Sequence, residues 1–436
     1  MGKSVSFITM GCAKNEVDSA RMSARLSSCG YGIIDDPESA DAIIVNTCSF
    51  IQAATEESID AVLDASGLDN VASGRAHLVV AGCMPARYGS ELESELPEAS
   101  SFVPCSAEDD IVDVLDGLFG IERMGGSAPY VTADFGEGAV SAYVKISDGC
   151  DRFCSYCTIP YIRGRYHSFS EEDIEREVVA HVNNGVREIV LIAQDTGRWG
   201  DDLGDESGLA GLVSRLAERH PDTWFRVMYI QPEGVTGELI EAFASHENIC
   251  SYFDIPFQHC SPEVLKNMNR TGSSEGFLAL VDRIRARIPD VTLRTTLIAG
   301  FPGETEEQFE DLCAFVEDIS FDYVGVFPYS QESGTRAGEM DGQIDEETKI
   351  ARAQQVRDIA DAVSVSIIGE RVGREVDVLV CGEEEDGQVF GRAMCQAPDV
   401  DGLTYLPGGV PGDVMRVTVE DTLFYEMEGA PVSERV

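Results

Sequence analysis

Residues 149–157 read GCDRFCSYC and place Cys150, Cys154 and Cys157 in a CxxxCxxC spacing. A cubane iron–sulfur cluster has four irons and is usually held by four thiolates. Three cysteines would leave one iron open to another ligand. A zinc site, the alternative, normally adds a fourth Cys or His at short spacing, and the nearest histidine, His167, lies ten residues after the last cysteine. The spacing therefore favours an open iron–sulfur cluster.

This segment stands near the start of a long run of alternating apolar patterns, in which period-two stretches predict strands and longer periodic stretches predict helices. The predicted strands are 141–147, 188–193, 224–230, 251–255, 291–298 and 321–327. The predicted helices include 171–184, 207–219, 236–246, 275–287, 305–318 and 345–368. Repeated β–α units suit a full or partial barrel, whose chemistry lies at the carboxyl ends of its strands. The CxxxCxxC segment follows the first strand and would lie on that rim.

Three further cysteines each follow a short apolar run by two or three positions. They are Cys12, Cys48 and Cys83, after residues 5–9, 42–46 and 77–81. Helical patterns at 15–29, 52–66 and 86–96 separate these runs. The alternation is typical of a parallel sheet with covering helices, where ligands bind beyond the carboxyl ends of the strands. We therefore expect the three thiols to meet at one point, the alternative being three unrelated core cysteines. The other seven cysteines have no ligand spacing and are expected to be core or incidental.

A turn-rich segment follows the first domain, and a pattern of short strand-like runs follows the central domain. Strand-like runs at 375–381, 389–394, 414–419 and 423–427 are separated by turns and predict a small antiparallel β-barrel. The fold class expected is α/β, with an N-terminal parallel-sheet domain, a central partial (β/α) barrel and this C-terminal barrel. The predicted bounds are 1–125 for the first domain, 126–139 for a linker, 140–370 for the central domain and 371–436 for the last.

Composition excludes several classes of protein. The 436 residues carry 32 Lys and Arg against 78 Asp and Glu, a formal net charge of −46. Direct binding to nucleic acid is therefore unexpected, because it needs clustered basic residues; a basic protein partner or a salty cytoplasm would suit the acidity, as would a merely solvated surface. No apolar run approaches the length of a membrane span or a signal peptide. Thirteen cysteines without such a signal indicate metal binding or catalysis in the cytoplasm.

Three arginines crowd the cysteine segment of this acidic chain, namely Arg152, Arg163 and Arg165. Guanidinium groups suit carboxylates. These arginines either steer an acidic ligand to the open iron or form local salt bridges with Asp148 and Asp151.

The CxxxCxxC segment followed by a partial barrel resembles the radical S-adenosylmethionine (SAM) superfamily. The resemblance implies that the open iron chelates SAM and that one electron splits SAM into methionine and a 5′-deoxyadenosyl radical. Tyr156, just before the third cysteine, would lie by the adenine. Gln194, in LIAQD at 191–195, and Arg294, in RTTLIAGFPGE at 294–304, would face the cofactor.

The N-terminal half resembles the methylthiotransferases, which insert a methylthio group at an unactivated C–H bond. The similar segments are GCAKN at 11–15, NTC at 46–48 and AGCM at 81–84, and the C-terminal barrel is similar to the TRAM domain of that family. The resemblance covers essentially the whole chain. It implies SAM and two 4Fe-4S clusters, one on Cys150, Cys154 and Cys157 and one on Cys12, Cys48 and Cys83. The first would make the radical, and the second would present the methylated sulfur.

Family members modify either an adenosine of tRNA or an aspartate of a ribosomal protein. Residues 11–19, 147–154 and 396–402 resemble the branch that acts on the β-carbon of an aspartate in ribosomal protein S-twelve, free or on the small subunit. The acidic C-terminal barrel suits a basic protein, since complementary charge speeds encounter. We expect that substrate, no membrane partner, and a reductase or a flavodoxin-type protein as electron donor. The tRNA adenosine remains the alternative substrate.

A reading from another class is a non-enzymatic iron–sulfur electron carrier or sensor. A carrier needs closed clusters with four protein ligands, whereas both sets of three cysteines are open. The barrel pattern and the segments around Gln194 and Arg294 also favour an enzyme.

Overall fold

The structure, a computed structural model, describes residues 2–122, 131–136 and 138–432. The chain divides into two compact units. The N-terminal unit comprises Met1–Gly136, Asp148–Phe153 and Cys157–Phe169, and the C-terminal unit comprises Glu137–Ser147, Cys154–Tyr156 and Ser170–Val436.

A five-stranded parallel sheet forms the centre of the N-terminal unit, with strand order β2-β1-β3-β4-β5. The strands are β1 (Ser4–Thr9), β2 (Gly32–Ile33), β3 (Ala42–Thr47), β4 (His77–Gly82) and β5 (Ser101–Pro104). Because β3 and β4 are buried on both faces, their sequences are continuous apolar runs rather than alternating ones. The prediction of a parallel sheet is confirmed.

Helices cover this sheet on both faces. They are α1 (Ala13–Ser28), α2 (Gln52–Gly67), α3 (Asp69–Ala72), α4 (Cys83–Tyr88), α5 (Ser90–Glu95) and α6 (Ile111–Phe119), with α7 (Ile159–Ile162) later in the chain. One face buries Val5, Met22, Leu26, Ile44, Val79, Ile111 and Leu115. The other buries Ile43, Val45, Val62, Ala65, Leu78 and Val80. Neighbouring residues of one strand thus point to opposite cores, as the pleat requires.

The single helix predicted at 86–96 is two short helices instead. Gly89 separates α4 from α5 with φ of +52°, a left-handed conformation that interrupts the helix and that glycine adopts readily. Short elements of this unit were not predicted from sequence, among them β2, α3 and the four-residue β5. The helix α6, which follows β5 after a short 3-10 segment, was not predicted either.

Six parallel strands alternate with helices in the C-terminal unit. The strands are β6 (Ser141–Lys145), β9 (Glu188–Ile192), β10 (Trp224–Val227), β11 (Tyr252–Asp254), β12 (Thr292–Ala299) and β13 (Tyr323–Pro328), while the short β7 (Ser147–Asp148) and β8 (His167–Ser168) flank the cysteine segment. The helices are α8 (Glu171–Asn183), α9 (Gly208–Arg219), α10 (Gly237–Ser245), α11 (Pro262–Asn267), α12 (Ser274–Arg287), α13 (Glu306–Ile319) and α14 (Glu346–Gly369). Most bounds lie within a few residues of the predicted ones.

These strands form a partial barrel. β6, β9 and β10 make one parallel sheet and β11, β12 and β13 make another. The sheets are joined where Phe225 bridges Ile249 in parallel and where the Ile230 amide donates to the Asp254 carbonyl at 2.9 Å. The expected central architecture is therefore confirmed, and the carboxyl ends of its strands share one rim.

The C-terminal strands close into a barrel of order β14-β15-β16-β18-β17. They are β14 (Glu375–Glu383), β15 (Val389–Ala393), β16 (Thr404–Leu406), β17 (Val414–Leu423) and β18 (Glu426–Pro431). All pairs are antiparallel except β16 with β18, which is parallel. The strand predicted at 423–427 was misplaced: Leu423 ends β17, Phe424 turns the chain with φ of +54°, and β18 starts two residues later.

Part of the predicted linker and the chain's end lie outside the described residues. Of 126–139, residues 126–130 and 137 are not described, and the remainder contains neither helix nor strand. Residues 433–436 of the predicted last domain are likewise outside. In the described part of the chain, no helix combines the length and the apolar character that a membrane span requires.

A buried ion cluster ties the C-terminal strands to the partial barrel within the C-terminal unit. Glu188 of β9 accepts from Arg226 of β10 at 2.8 Å and pairs with Arg392 of β15 at 2.6 Å. The side chains of Glu188 and Arg226 have no exposed surface. Burial alone raises the pKa of Glu188, but the two guanidinium groups outweigh it and lower the pKa to about 2.

We predict that Glu188→Gln destabilises the protein by about 3–5 kcal/mol, because it leaves two guanidinium groups buried without their carboxylate. Chemical denaturation measures this, with Glu241→Gln as the control: Glu241 pairs with Arg287 on the surface and should matter little. The lowered pKa also means that the stabilisation is complete above pH 4.5 and is lost as the pH falls towards 2. Equal unfolding free energies for the two variants would contradict the prediction.

Candidate functional site

Cys12, Cys48 and Cys83 follow three adjacent strands of the N-terminal unit. Cys48 comes directly after β3, Cys83 begins α4 directly after β4, and Cys12 lies three residues beyond β1 at the N-cap of α1. β3 pairs with β1 on one side and with β4 on the other in unshifted parallel register. All three cysteines therefore lie at the same edge of the sheet, as the sequence predicts.

Two glycines allow the backbone to pass close to this edge. Gly11 has φ of +96°, and a Cβ there would lie 2.5 Å from the Cys48 Cβ and 2.9 Å from its Sγ. Gly82 has φ of +94°, and a Cβ there would lie 2.2 Å from the Asn46 Oδ1. Any larger residue would be strained and would displace Cys48 or Asn46.

The environment of the two buried thiols, Cys48 and Cys83, favours their neutral form in the absence of a cation. Cys12 is exposed, whereas Cys48 and Cys83 are buried. Burial raises the pKa of Cys48, and negative charge on Cys12 raises it further. Burial also raises the pKa of Cys83. Arg163 lowers that pKa, whereas negative charge on the other two thiols raises it. The thiols are thus close enough to repel one another when ionised.

The donor set fits an iron–sulfur cluster in its chemistry. Throughout residues 2–122, 131–136 and 138–432, no three Cys, His, Asp or Glu side chains are drawn together closely enough to hold a metal ion. The three thiols nevertheless lie on one edge, and negative charge on Cys12 disfavours ionisation of Cys48 and Cys83. Metal binding requires thiolates, and a cationic group would relieve exactly that repulsion by supplying the missing positive charge.

The next strand carries a fourth cysteine that the sequence did not single out. Cys105 directly follows β5, and its thiol donates to the Ile162 carbonyl at 3.2 Å. Burial raises its pKa to about 12. Cys105 had no ligand spacing, and β5 was too short to be predicted, so no signal in the sequence placed it beside the other three.

The CxxxCxxC cysteines are divided between the units. Cys150 and Cys157 belong to the N-terminal unit and Cys154 to the C-terminal unit. All three are partly exposed. The Cys150 amide donates to the Gly164 carbonyl at 3.1 Å. In the C-terminal unit, Arg270 lies with Nη1 3.8 Å from the Cys154 Sγ.

Two of the three arginines of this segment, Arg163 and Arg165, form salt bridges, the second of the two predicted alternatives. Arg165 is exposed and pairs with Asp151 at 3.2 Å. Arg163 is buried and pairs with Asp148 at 3.3 Å and with Asp18 at 2.9 Å. The sequence predicted Asp148 and Asp151 as partners but not Asp18, which lies 145 residues before Arg163.

The three residues predicted to contact the cofactor, Tyr156, Gln194 and Arg294, all lie in the C-terminal unit. Tyr156 belongs to the C-terminal unit and interacts electrostatically with the buried Arg270. Gln194 follows β9, and its Oε1 is buried without a hydrogen-bond partner in the part of the chain that the structure describes. Gln231 follows the neighbouring β10, and its Oε1 is likewise buried without a hydrogen-bond partner in the described residues. The sequence did not predict Gln231 as a site residue. The parallel placement of a Gln after two successive apolar runs was the available signal.

The guanidinium of Arg294 forms ion pairs with two carboxylates. It lies near the start of β12, donates from Nη1 to the Asp254 Oδ1 at 2.9 Å, and lies 3.8 Å from the Asp401 Oδ1. Burial lowers its pKa, but these two carboxylates and Tyr252 outweigh burial and raise it. The residue thus links the loop before β16 to the partial barrel.

Sequence profiles of three known families match the chain in order. "Uncharacterized protein family UPF0004" matches residues 4–104, the radical SAM superfamily matches 144–316, and the TRAM domain matches 372–432. The first match covers the parallel sheet, and the third covers the closed C-terminal barrel. The second covers the partial barrel from the end of β6 to α13, without β13.

Known proteins resemble the chain over nearly their whole length. The ribosomal protein uS12 methylthiotransferase RimO of Symbiobacterium thermophilum is 41% identical, over 98% of this chain and 90% of that protein. The protein of the same name from Syntrophus aciditrophicus is 40% identical, over 98% of this chain and 99% of that protein.

Solved structures share the fold at low identity. The radical S-adenosylmethionine methyltransferase TsrM of Kitasatospora setae, solved with cobalamin and a [4Fe-4S] cluster, superimposes with a TM-score of 0.54. It is 15% identical and the match covers 76% of this chain and 74% of that one. The cobalamin-dependent radical enzyme OxsB matches with a TM-score of 0.51 at 12% identity, over 82% of this chain and 56% of that one.

We predict that Gly11→Ala lowers the iron held by Cys12, Cys48 and Cys83, because the new methyl group would displace Cys48. Gly30→Ala is the matched control: Gly30 also has positive φ, +87°, but nothing lies within 4 Å of its added Cβ. Both changes should cost about 1–2 kcal/mol of stability for the left-handed backbone. Iron per chain, measured in a protein whose CxxxCxxC cysteines are alanine, should fall only in Gly11→Ala; equal iron in both variants would contradict the prediction.

Proposed function

The chain belongs to the RimO family of ribosomal protein uS12 methylthiotransferases, and we propose that it adds a methylthio group to the β-carbon of an aspartate in uS12, the S-twelve protein of the small subunit. It is a radical-SAM enzyme and not a non-enzymatic electron carrier or sensor. The observation that carries the proposal is identity of about 40% over nearly the full length of both chains.

Membership of this superfamily entails SAM and a 4Fe-4S cluster, and we propose Cys150, Cys154 and Cys157 as its ligands. A second cluster on Cys12, Cys48 and Cys83 is proposed from the placement of those thiols at one sheet edge. When bound, the two clusters supply one-electron cleavage of SAM to a 5′-deoxyadenosyl radical and transfer of a methylthio group. An electron donor of the reductase or flavodoxin type is part of the proposal.

Several side chains of the C-terminal unit are suited to hold SAM. We assign Tyr156 to the adenine, because its ring offers a flat apolar face. The buried carbonyl oxygens of Gln194 and Gln231 lack partners in the described residues and are available to hydroxyl or amino donors. Satisfying them on binding would remove an energetic cost, since buried unpaired polar groups are unfavourable. Arg294 stays a prediction from the resemblance, since Asp254 already engages its guanidinium.

The domain roles follow the same proposal. Residues 1–125 would carry the second cluster, 140–370 the SAM chemistry, and 371–436 a TRAM-like domain, with 126–139 as linker. The net charge of −46 supports a basic protein substrate, because complementary charge accelerates encounter and tRNA phosphates would be repelled.

We predict that Cys150→Ala abolishes SAM cleavage, because the radical-generating cluster loses a ligand. Cys48→Ala should still cleave SAM under reducing conditions but should transfer no methylthio group. Release of 5′-deoxyadenosine and methylthiolated product are measured separately by liquid chromatography and mass spectrometry. Normal product from Cys48→Ala would remove the basis for the second-cluster assignment.

The substrate is tested by competition. The anaerobically reconstituted protein receives SAM, a reductant and a sulfur source, with uS12 and unmodified tRNA in one tube. We expect a methylthio group on an aspartate of uS12 and none on the tRNA. Modification of an adenosine instead would refute the proposed substrate while retaining the chemistry.

A further inference from the structure

We propose that Arg163 is a positioning residue for the second cluster: it lies beside Cys83, fixes the orientation of that ligand and raises the reduction potential of the cluster. The inference rests on the proposed function, because it assumes the cluster on Cys12, Cys48 and Cys83. It assigns a role in that chemistry to a side chain from the segment after CxxxCxxC, within the N-terminal unit.

The guanidinium of Arg163 is held rigidly in the interior. Its side chain is 3% exposed, and Nη1 lies 3.3 Å from the Asp148 Oδ2. Nη2 donates to the Asn15 Oδ1 at 2.8 Å and to the Asp18 Oδ2 at 2.9 Å. Nη2 also lies 3.8 Å from the Cys83 Sγ. These contacts define one orientation in which the planar group is directed at the thiol.

The partners of Arg163 are themselves fixed by the sheet edge. Asn15 donates from Nδ2 to the Met10 carbonyl at 2.9 Å and to the Thr47 carbonyl at 3.0 Å. Its backbone carbonyl accepts from the Asn46 amide group at 2.9 Å. The residues before Cys12 and Cys48 are thereby joined to the same asparagine that holds Arg163. A shift of the guanidinium would therefore be transmitted to the segments that carry the other cysteines.

The charge of Arg163 lies against one of the three thiols, because its Nη2 is 3.8 Å from the Cys83 Sγ. Two carboxylates, Asp18 and Asp148, lie on its other sides and would oppose reduction of the cluster without it. Nearby charge and hydrogen bonds to sulfur set the potentials of iron–sulfur clusters. Removing the guanidinium should therefore make the cluster harder to reduce.

The experiment uses the full chain with Cys150, Cys154 and Cys157 replaced by alanine, so that only the second cluster is reconstituted. The variants are Arg163→Gln, Arg163→Lys and the control Arg25→Gln. Arg25 also forms an ion pair and is mostly buried, with Asp109 as partner. It lies in the last turn of α1, whose first residue follows Cys12, about 18 Å along the helix at 1.5 Å per residue.

Redox titration followed by electron paramagnetic resonance should give a more negative midpoint potential and an altered spectrum for Arg163→Gln. Arg163→Lys should lie between Arg163→Gln and the parent, because it keeps the charge but not the fork of donors. Arg25→Gln should match the parent. An unchanged potential and spectrum in Arg163→Gln with its iron retained would overturn the inference.

Two further comparisons keep the result interpretable. If Arg163→Gln fails to fold because Asp18 is left buried and unpaired, Asp18→Asn/Arg163→Gln is compared with Asp18→Asn, and the double variant must have the more negative potential. If the parent with three alanines binds no cluster, the proposed second cluster itself is refuted. That outcome is distinct from a cluster that binds and does not respond to Arg163.

Discussion

The parallel register of β1, β3 and β4 is the constraint on which the N-terminal unit depends. Because the three strands run side by side without a shift, the residues that follow them emerge at one edge of the sheet. Cys12, Cys48 and Cys83 need no long side chain or inserted loop to approach one another. The cost is local: Gly11 and Gly82 adopt left-handed backbone against Cys48 and Asn46, a conformation in which a larger residue would be strained.

Burial and charge explain why this edge suits a cationic group. Two of its thiols, those of Cys48 and Cys83, are removed from water, and negative charge on Cys12 further disfavours their ionisation. The guanidinium of Arg163 supplies positive charge beside these thiols. Its own burial lowers its pKa, and Asp18 and Asp148 outweigh that effect. The same principle recurs in the C-terminal unit, where Glu188 is enclosed between Arg226 and Arg392. In both of these clusters, buried charge lies beside charge of the opposite sign, which offsets the cost of desolvation.

Local pattern was enough to predict most of the fold, since continuous apolar runs and helical periodicity are properties of neighbouring residues. The strands that end directly before Cys48 and Cys83 were predicted within one residue of their observed ends. Elements shorter than the pattern window were missed, among them β5 before Cys105 and β16 in the closed barrel. The partners of Arg163 and Arg294 were also missed or incomplete, because contacts such as Arg163 with Asp18 join residues 145 positions apart. No periodicity within one element carries that information.

Closure of the C-terminal barrel has a consequence for recognition. The parallel pairing of β16 with β18 completes the ring β14-β15-β16-β18-β17, so each strand already has a neighbour on both sides. An open sheet can accept an extended peptide as an additional strand through main-chain hydrogen bonds, but this ring offers no such edge. A partner of this barrel must therefore bind to its side chains and turns. These include the exposed Leu423 at the end of β17 and the exposed Phe424 in the following turn.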